Sequence, residues 1–324
     1  MDNWRNQLKF DPLSVLLVSN NKAIAYSAKY DLLDDRKEPV ETLWGLKPAE
    51  KIVQKQNSDG SWTYPGGKLH VRSQQNYNQL ETFRNLGELV EKYKFNRNHP
   101  AIEKAASFLF DFQTDEGDFR GIYGNQYSPN YSAAIMELLN KSGYYNDRRI
   151  KKGFEWLLSI RQSDGGWAIP IRTVGLKLDT MYDYNSQTIR PDISKSFSHM
   201  VTGVVLRGFA SHSVYKQAEE AKKAGELLIS RFFEPDKYPD RKDRSFWTKF
   251  PYPFWFTDLI SALDSLSLLG FTVSVPKIQT ALNWFTDRQQ SNGSWELKLL
   301  KTKDKDLPQW ISLAICRILK RFYG

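Results

Sequence analysis

The sequence predicts an all-α protein whose helical hairpins close into an α/α toroid, and three observations predict it. A short pattern ending in an aromatic residue, Gln-x-x-acid/Asn-Gly-x-Trp, recurs along the 324 residues. Each copy follows an amphipathic segment of about three turns and precedes a second segment that is apolar around most of its circumference. No run alternates at period two strongly enough to read as a strand.

The four copies justify the elements in order. They run from Gln56 to Trp62, from Gln113 to Phe119, from Arg161 through Gln162 to Trp167, and from Gln289 to Trp295. In the second copy Phe replaces Trp, and in the third the Gln is displaced by one place, while Gly and aromatic keep their spacing throughout. Ile102, Ala105, Ala106, Leu109 and Phe112 stand before Gln113, and Ile150, Phe154, Leu157 and Leu158 before Arg161, so each motif closes a helix. The Gly supplies the positive φ that a helix C-terminus commonly needs. The wide gap between the third and fourth copies holds a degenerate unit, a helix over Ala221 to Phe233 followed by Arg244-Ser245-Phe246-Trp247.

Second helices are predicted over Gln79 to Tyr93, Ser132 to Asn140, His199 to Ala210, Phe256 to Leu269 and Trp310 to Phe322, with Leu13 to Asp31 as an N-terminal helical segment. The result is about five or six hairpins in a single domain over 1–324. Residues 40–324 carry the repeats and residues 1–39 precede them. Segments such as Met200 to Phe209, apolar on nearly every side, suit an inner ring covered by an outer one.

Composition narrows the class. Net charge is +9, 40% of residues are hydrophobic and 26% charged, which is an ordinary globular balance. The positive surplus would favour anionic lipid or a diphosphate-bearing substrate, but no Lys/Arg block is long enough for a nucleic-acid arm, and none is expected as a partner. One cysteine, Cys316, excludes an internal disulfide and a thiolate-rich zinc cage. The apolar stretch Val15 to Val18 is too short for a secretory h-region, so a cytoplasmic location is expected. Aromatic residues make up 14% of the chain, a load whose placement bears on function.

The copies at Gln56, Gln113, Gln162 and Gln289 resemble the repeat of squalene and other terpenoid cyclases and of protein prenyltransferase β-subunits. The resemblance spans roughly 40–324 and implies an α/α barrel with an isoprenoid-binding central cavity. It also implies that Trp62, Phe119, Trp167 and Trp295 are structural staples stacked on capping Gln side chains. The chemistry does not carry over with the fold. Prenyltransferases hold zinc with Asp, Cys and His, whereas Cys316 lies among Ile315, Ile318 and Leu319 without such neighbours. The Asp-x-Asp-Asp acid motif of cyclases is absent. The nearest approximations are Asp31 to Asp35 and the pair Asp179 and Asp183.

Candidate site residues stand where second helices begin, since those ends line a central cavity. Tyr77, Glu81, Arg84 and Glu88 form one polar stripe opposite Leu80, Phe83, Gly87 and Val90, with Glu81 as an acid or, alternatively, as the structural partner of Arg84. Asp258 follows the aromatic run containing Tyr252 and Trp255; it reads as a desolvated general acid or as an N-cap. The long insertion over 168–197 contributes Asp179 and Asp183 and leads to His199, which reads as a base, a ligand or a satisfied structural residue. His70 lies in the segment before Tyr77, and Tyr123, Tyr127 and Tyr131 enter another second helix.

The favoured reading is a cyclase- or prenyltransferase-like protein that holds an apolar isoprenoid in an aromatic cavity. Acid-initiated cyclisation or isoprenyl transfer would follow, with Asp258, Asp179, Asp183 or Glu81 as acid and Tyr77, Arg84, His70, Tyr131, His199, Tyr252 and Trp255 around the substrate. No cofactor or metal is expected, and peripheral membrane contact is. Two alternatives remain: a non-catalytic binding or scaffold toroid, and a carbohydrate-active α/α barrel acting as lyase or hydrolase.

Overall fold

A computed structural model describes residues 3–66, 77–177, 186–300 and 303–324, and these are helical with isolated bridges but no strand. The chain divides into two compact units, one formed by 1–39 with 225–324 and the other by 40–224.

In the unit over 40–224 the helices are α3 (Lys47–Val53), α4 (Tyr77–Tyr93), α5 (Pro100–Phe110), α6 (Pro129–Leu139), α7 (Arg148–Ser159), α8 (Pro170–Thr173) and α9 (His199–Ala210). They pack in two layers: α4 touches α6 and α6 touches α9, while α3 and α5 lie against α4 and α7 lies against α6. The inner position explains the composition of α9, every residue of which is buried. By contrast α7 buries only Ile150, Gly153, Phe154, Trp156 and Leu157, the stripe of a helix with one wet face. Gly208 permits the close approach of α9 to α6, since a Cβ there would stand 3.1 Å from the Ala133 carbonyl oxygen.

The other unit contains α1 (Leu13–Leu17), α2 (Lys22–Leu32), α11 (Leu259–Leu268), α12 (Pro276–Thr286) and α13 (Leu307–Tyr323), with α13 packed on both α11 and α2. In sequence, α10 (Glu219–Ser230) spans the division at 224/225. The N-terminal segment read as continuous from Leu13 to Asp31 is two helices, because the Asn21 side chain accepts from the Ala23 amide and starts α2 afresh. Likewise α11 starts at Leu259 rather than Phe256, because Asp258 caps it.

The repeat turns share one construction. Gly60, Gly117, Gly165 and Gly293 all have φ between 84° and 111°, in the left-handed region. The Gln56 amide donates to the carbonyls of Gly60 (3.0 Å) and Ala101 (2.8 Å), and that of Gln113 to Gly117 (2.7 Å) and Arg149 (2.8 Å). Each Gln therefore ties its own turn to the first turn of the next outer helix. Gln289 does the same at Gly293 and Phe10, and also accepts from the Lys9 and Phe10 amides.

In the third copy the backbone pairing Gln162 N to Gly166 O matches Asn57 N to Ser61 O. Arg161 thus occupies the place of the other glutamines, and Gln162 binds the carbonyls of Asp192 and Lys195 instead.

The tryptophan of each intact copy donates its indole N–H to the carbonyl ten residues earlier: Trp62 to Ile52 (2.7 Å), Trp167 to Leu157 (2.7 Å) and Trp295 to Phe285 (2.9 Å). Trp247 of the degenerate copy reaches Glu234 (2.9 Å) in the same manner. A buried carbonyl at a helix end is costly to leave unpaired. Trp167→Phe is therefore expected to lower unfolding free energy by about 1–3 kcal/mol, read as a shifted denaturant midpoint; an unchanged midpoint would mean that the ring alone holds the turn, as Phe119 does in its copy.

Candidate functional site

At the start of α4 and α6, tyrosines gather that the core does not absorb. Tyr64 and Tyr77 lie with ring centroids 4.7 Å apart, and the Arg84 guanidinium stands 6.0 Å from the Tyr64 ring. Phe83 meets Tyr131 edge-on at 6.2 Å, and Tyr131 meets Tyr123 edge-on at 5.2 Å. Tyr64, Tyr77, Tyr123 and Tyr131 are half-buried, whereas Phe83 is in the core. Edge-to-face contacts fix ring orientation and leave π faces available to a cation or an alkene. Asn130, in the first turn of α6, donates to the Tyr123 hydroxyl at 3.3 Å.

The polar stripe on α4 runs beside these rings. Glu81 accepts from Arg84 at 3.5 Å and from the Asn85 amide at 3.2 Å, and Glu88 pairs with Lys92 at 2.7 Å. The four stripe residues are half-buried while Leu80, Phe83, Gly87 and Val90 opposite them are buried. Arg84 and Asn85 thereby fix the direction in which the Glu81 carboxylate points.

His199 is buried in the first turn of α9, next to the Ser198 cap. His70, Asp179 and Asp183 lie outside the described residues.

In the other unit Asp258 is fully buried and forms a reciprocal cap: its carboxylate accepts from the Ser261 amide (2.9 Å), and its own amide donates to Ser261 Oγ (3.0 Å). Tyr252 is also buried, stacked on Trp310 at 5.5 Å, and its hydroxyl accepts from Arg317 at 3.0 Å. Arg317 binds Asp31 as well. Trp255 is half-buried in the same loop. Among the described residues no group of three His, Cys, Asp or Glu side chains is placed to hold a metal ion. Cys316 is buried, and burial pushes its thiol far up, as for a small core residue.

Two polar networks escaped the sequence reading. The first holds the end of the long insertion. The Gln126 amide donates to Ser186 Oγ and the Gln187 carbonyl (2.8 Å each) and accepts from the Ile189 amide (2.9 Å); Arg120 reaches Thr188 Oγ1 at 2.7 Å. Burial, followed by the hydrogen bond donated to Glu116 at 2.6 Å, pushes the Tyr127 phenol up to about 12. Tyr127 therefore stays protonated and is no base at neutral pH.

The second network lies deep between α6 and α9, where Glu137 accepts from Arg207 (2.8 Å) and Lys141 (2.7 Å), and Lys141 also reaches Glu91 (2.6 Å). Burial alone would raise the Glu137 carboxyl, but the charges and hydrogen bonds of Arg207 and Lys141 outweigh it and hold it below the ordinary value. A separate regularity also went unseen. In the first three copies the amide of the motif aromatic donates to a hydroxyl on the following inner helix: Trp62 to Thr82, Phe119 to Ser132 and Trp167 to Thr202, at 2.9–3.0 Å.

Residues 81–173 match the family model of the squalene-hopene cyclase C-terminal domain. Among curated proteins the chain is similar to a probable squalene–hopene cyclase of Sinorhizobium fredii (strain NBRC 101917 / NGR234), with 26% identity over 132 residues; the match takes in 40% of this chain and only 19% of that relative's length. Among solved structures it is similar to the type II terpene cyclase MstE from Scytonema in its apo form, at 12% identity over 87% of this chain and 96% of that one, with a TM-score of 0.35. A variant of the same cyclase, in complex with its substrate geranylgeranyl dihydroxybenzoate, is similar at 12% identity over 91% and 99% of the two chains, with a TM-score of 0.37.

Proposed function

We propose, from the premise that this chain is a terpenoid cyclase-like superfamily member, that it binds an isoprenoid or similarly apolar substrate on the ring face of α4 and α6. The observation that carries the reading is the pair of half-buried rings Tyr123 and Tyr131 set against the buried Phe83, with half-buried Tyr64 and Tyr77 beside Arg84. Rings held edge-on but left partly uncovered give up burial energy that a core would collect, and a flexible apolar chain laid across them would recover it. Glu81 and Arg84 would orient the polar end of the substrate.

The proposed reaction is acid-initiated cyclisation or isoprenyl transfer, for which ring faces stabilise the developing cation. The acid is proposed among Asp258, Asp179, Asp183 and Glu81, the last of which is paired with Arg84. A cytoplasmic protein meeting its substrate at an anionic membrane fits the same proposal. Val174, Leu176 and Ile193 are exposed, and Lys177 and Lys195 follow close in sequence. No helix among the described residues is long and apolar enough to cross a membrane.

Incubating the protein with squalene and with geranylgeraniol, followed by gas chromatography and mass spectrometry, tests the reaction. Asn caps a helix as well as Asp does, so Asp258→Asn is expected to change the melting temperature by no more than about 2 °C while abolishing turnover if Asp258 is the acid. Full turnover in that variant removes Asp258 and leaves Asp179, Asp183 and Glu81, to be tested by the corresponding amide substitutions. The engagement of the described carboxylates favours a second reading, a non-catalytic isoprenoid-binding protein, which predicts binding without any product.

A further inference from the structure

We propose that His99 and His212 form an acid-sensitive latch: each neutral imidazole accepts backbone amides through Nδ1, and protonation of that nitrogen releases them.

His99 is the N-cap of α5, a position where Ser, Thr, Asp or Asn is usual, and its Nδ1 accepts from the Ala101 amide at 3.1 Å. His212 follows α9; its Nδ1 accepts from the Val214 amide at 3.1 Å and the Tyr215 amide at 3.3 Å, and its Nε2 stands 2.9 Å from the Tyr145 carbonyl. That carbonyl is an acceptor, so Nε2 carries the proton and Nδ1 the lone pair. An added proton on Nδ1 would place N–H against N–H in both sites. The amides now held would lose their acceptor.

Neither ring has an ion-pair partner to compensate a positive charge among the described residues. His99 lies against Trp44 (5.3 Å) and Phe95 (4.7 Å), with Glu103 one turn along its own helix as the nearest acid in sequence. His212 lies against Phe154 (5.2 Å) on α7 and Tyr215 (5.0 Å), with Glu155 on α7 acting on the Tyr215 phenol and Lys216 following in the chain. Burial holds both imidazoles below the ordinary histidine value. The stability they contribute is therefore present above the unfolded value of about 6.5 and lost as pH falls through the lower folded one. Two connections in the unit over 40–224 would loosen together: the entry to α5 and the chain leaving α9.

Amide exchange followed by NMR at about pH 7.5 and about pH 5 reads the latch directly. In the wild type, protection factors of Ala101, Val214 and Tyr215 are expected to fall at least about tenfold in acid, a change of about 1.4 kcal/mol. His99→Asn keeps a capping oxygen that does not titrate, so Ala101 should hold its protection at both values; His212→Asn should do the same for Val214 and Tyr215. Wild-type amides that keep their protection in acid would overturn the proposal, as would Asn variants that lose it equally. Should a variant fail to fold, the wild-type imidazole nitrogen spectra decide: a proton on Nδ1 at neutral pH in either ring would overturn it.

Discussion

Replacing Gly117 by alanine is expected to lower unfolding free energy by about 3 kcal/mol, the sum of two separable costs. Its φ of 111° is a conformation that disfavours any L side chain by about 1–2 kcal/mol. A Cβ at this position would also stand 2.5 Å from the Lys152 carbonyl oxygen of α7, so the turn or the helix must shift, at about 1–3 kcal/mol. In a body of this size each kcal/mol moves the melting temperature by about 2–4 °C, giving a fall of about 6–12 °C. Gly175 isolates the first cost: its φ is 80° but a Cβ there would meet nothing within 4 Å. Gly175→Ala should therefore cost only about 1–2 kcal/mol. Equal losses in the two variants would mean that the motif glycine is kept for its dihedral angle and not for the approach of the next outer helix.

Glu137→Ala should be at least as damaging, at about 3–5 kcal/mol, because it takes the buried carboxylate away from Arg207 and Lys141 without moving their charges to water. Most of such a loss is the stranded cation rather than the value of the pair. The double variant Glu137→Leu with Arg207→Met should consequently recover most of it. Glu91→Ala, at the more exposed end of the same network, should cost about 1 kcal/mol or less.

The sign of the acid dependence follows from the direction of the shift. Glu137 is held below its ordinary value in the folded state, so its contribution is complete above the unfolded carboxyl value of about 4.3 and disappears as pH falls through the lower folded one. Stability of Glu137→Gln should accordingly fall less steeply than wild type on acidification below about pH 4. A slope unchanged from wild type would mean that Glu137 is not the anion that the network requires.

How far the sequence could be read depended on whether a residue's role was local. The helix from His199 to Ala210 was legible to the residue, since Ser198 caps it and its apolar surroundings mark it on every side. The turn at each motif was legible for the same reason, and so was the degenerate copy, whose Trp247 reaches back to a helix end like its counterparts. The stripe Tyr77, Glu81, Arg84 and Glu88 was legible from a spacing of three and four, which is a property of one helix. Boundaries at Asn21 and Asp258 were missed by a few residues, because a cap interrupts an apolar pattern without changing its composition.

Contacts between distant segments had no such signal. Gln126 lies some sixty residues from the atoms it holds, and Glu137 is seventy residues from Arg207. Nothing in the spacing of either names its partner. The hydroxyls Thr82, Ser132 and Thr202 did leave a trace, one small polar residue early in each inner helix, but it becomes meaningful only once the motif aromatic is known to donate to it. Arg161 shows the opposite case. The displaced Gln of the third copy was visible as an irregularity, and the structure gives its consequence: the amide of Gln162 is redirected to the carbonyls of Asp192 and Lys195, while Gly165 and Trp167 keep their places.

The central claim is that the uncovered tyrosines at the start of α4 and α6 receive an apolar chain. Photolabelling with a diazirine-bearing isoprenoid alcohol, followed by peptide mapping, tests it most directly. The account predicts adducts concentrated on the peptides containing Tyr77 to Arg84 and Tyr123 to Tyr131, competed away by unlabelled geranylgeraniol and reduced in Tyr131→Ala. Adducts spread over the surface without competition, or confined to peptides outside those two, would contradict it.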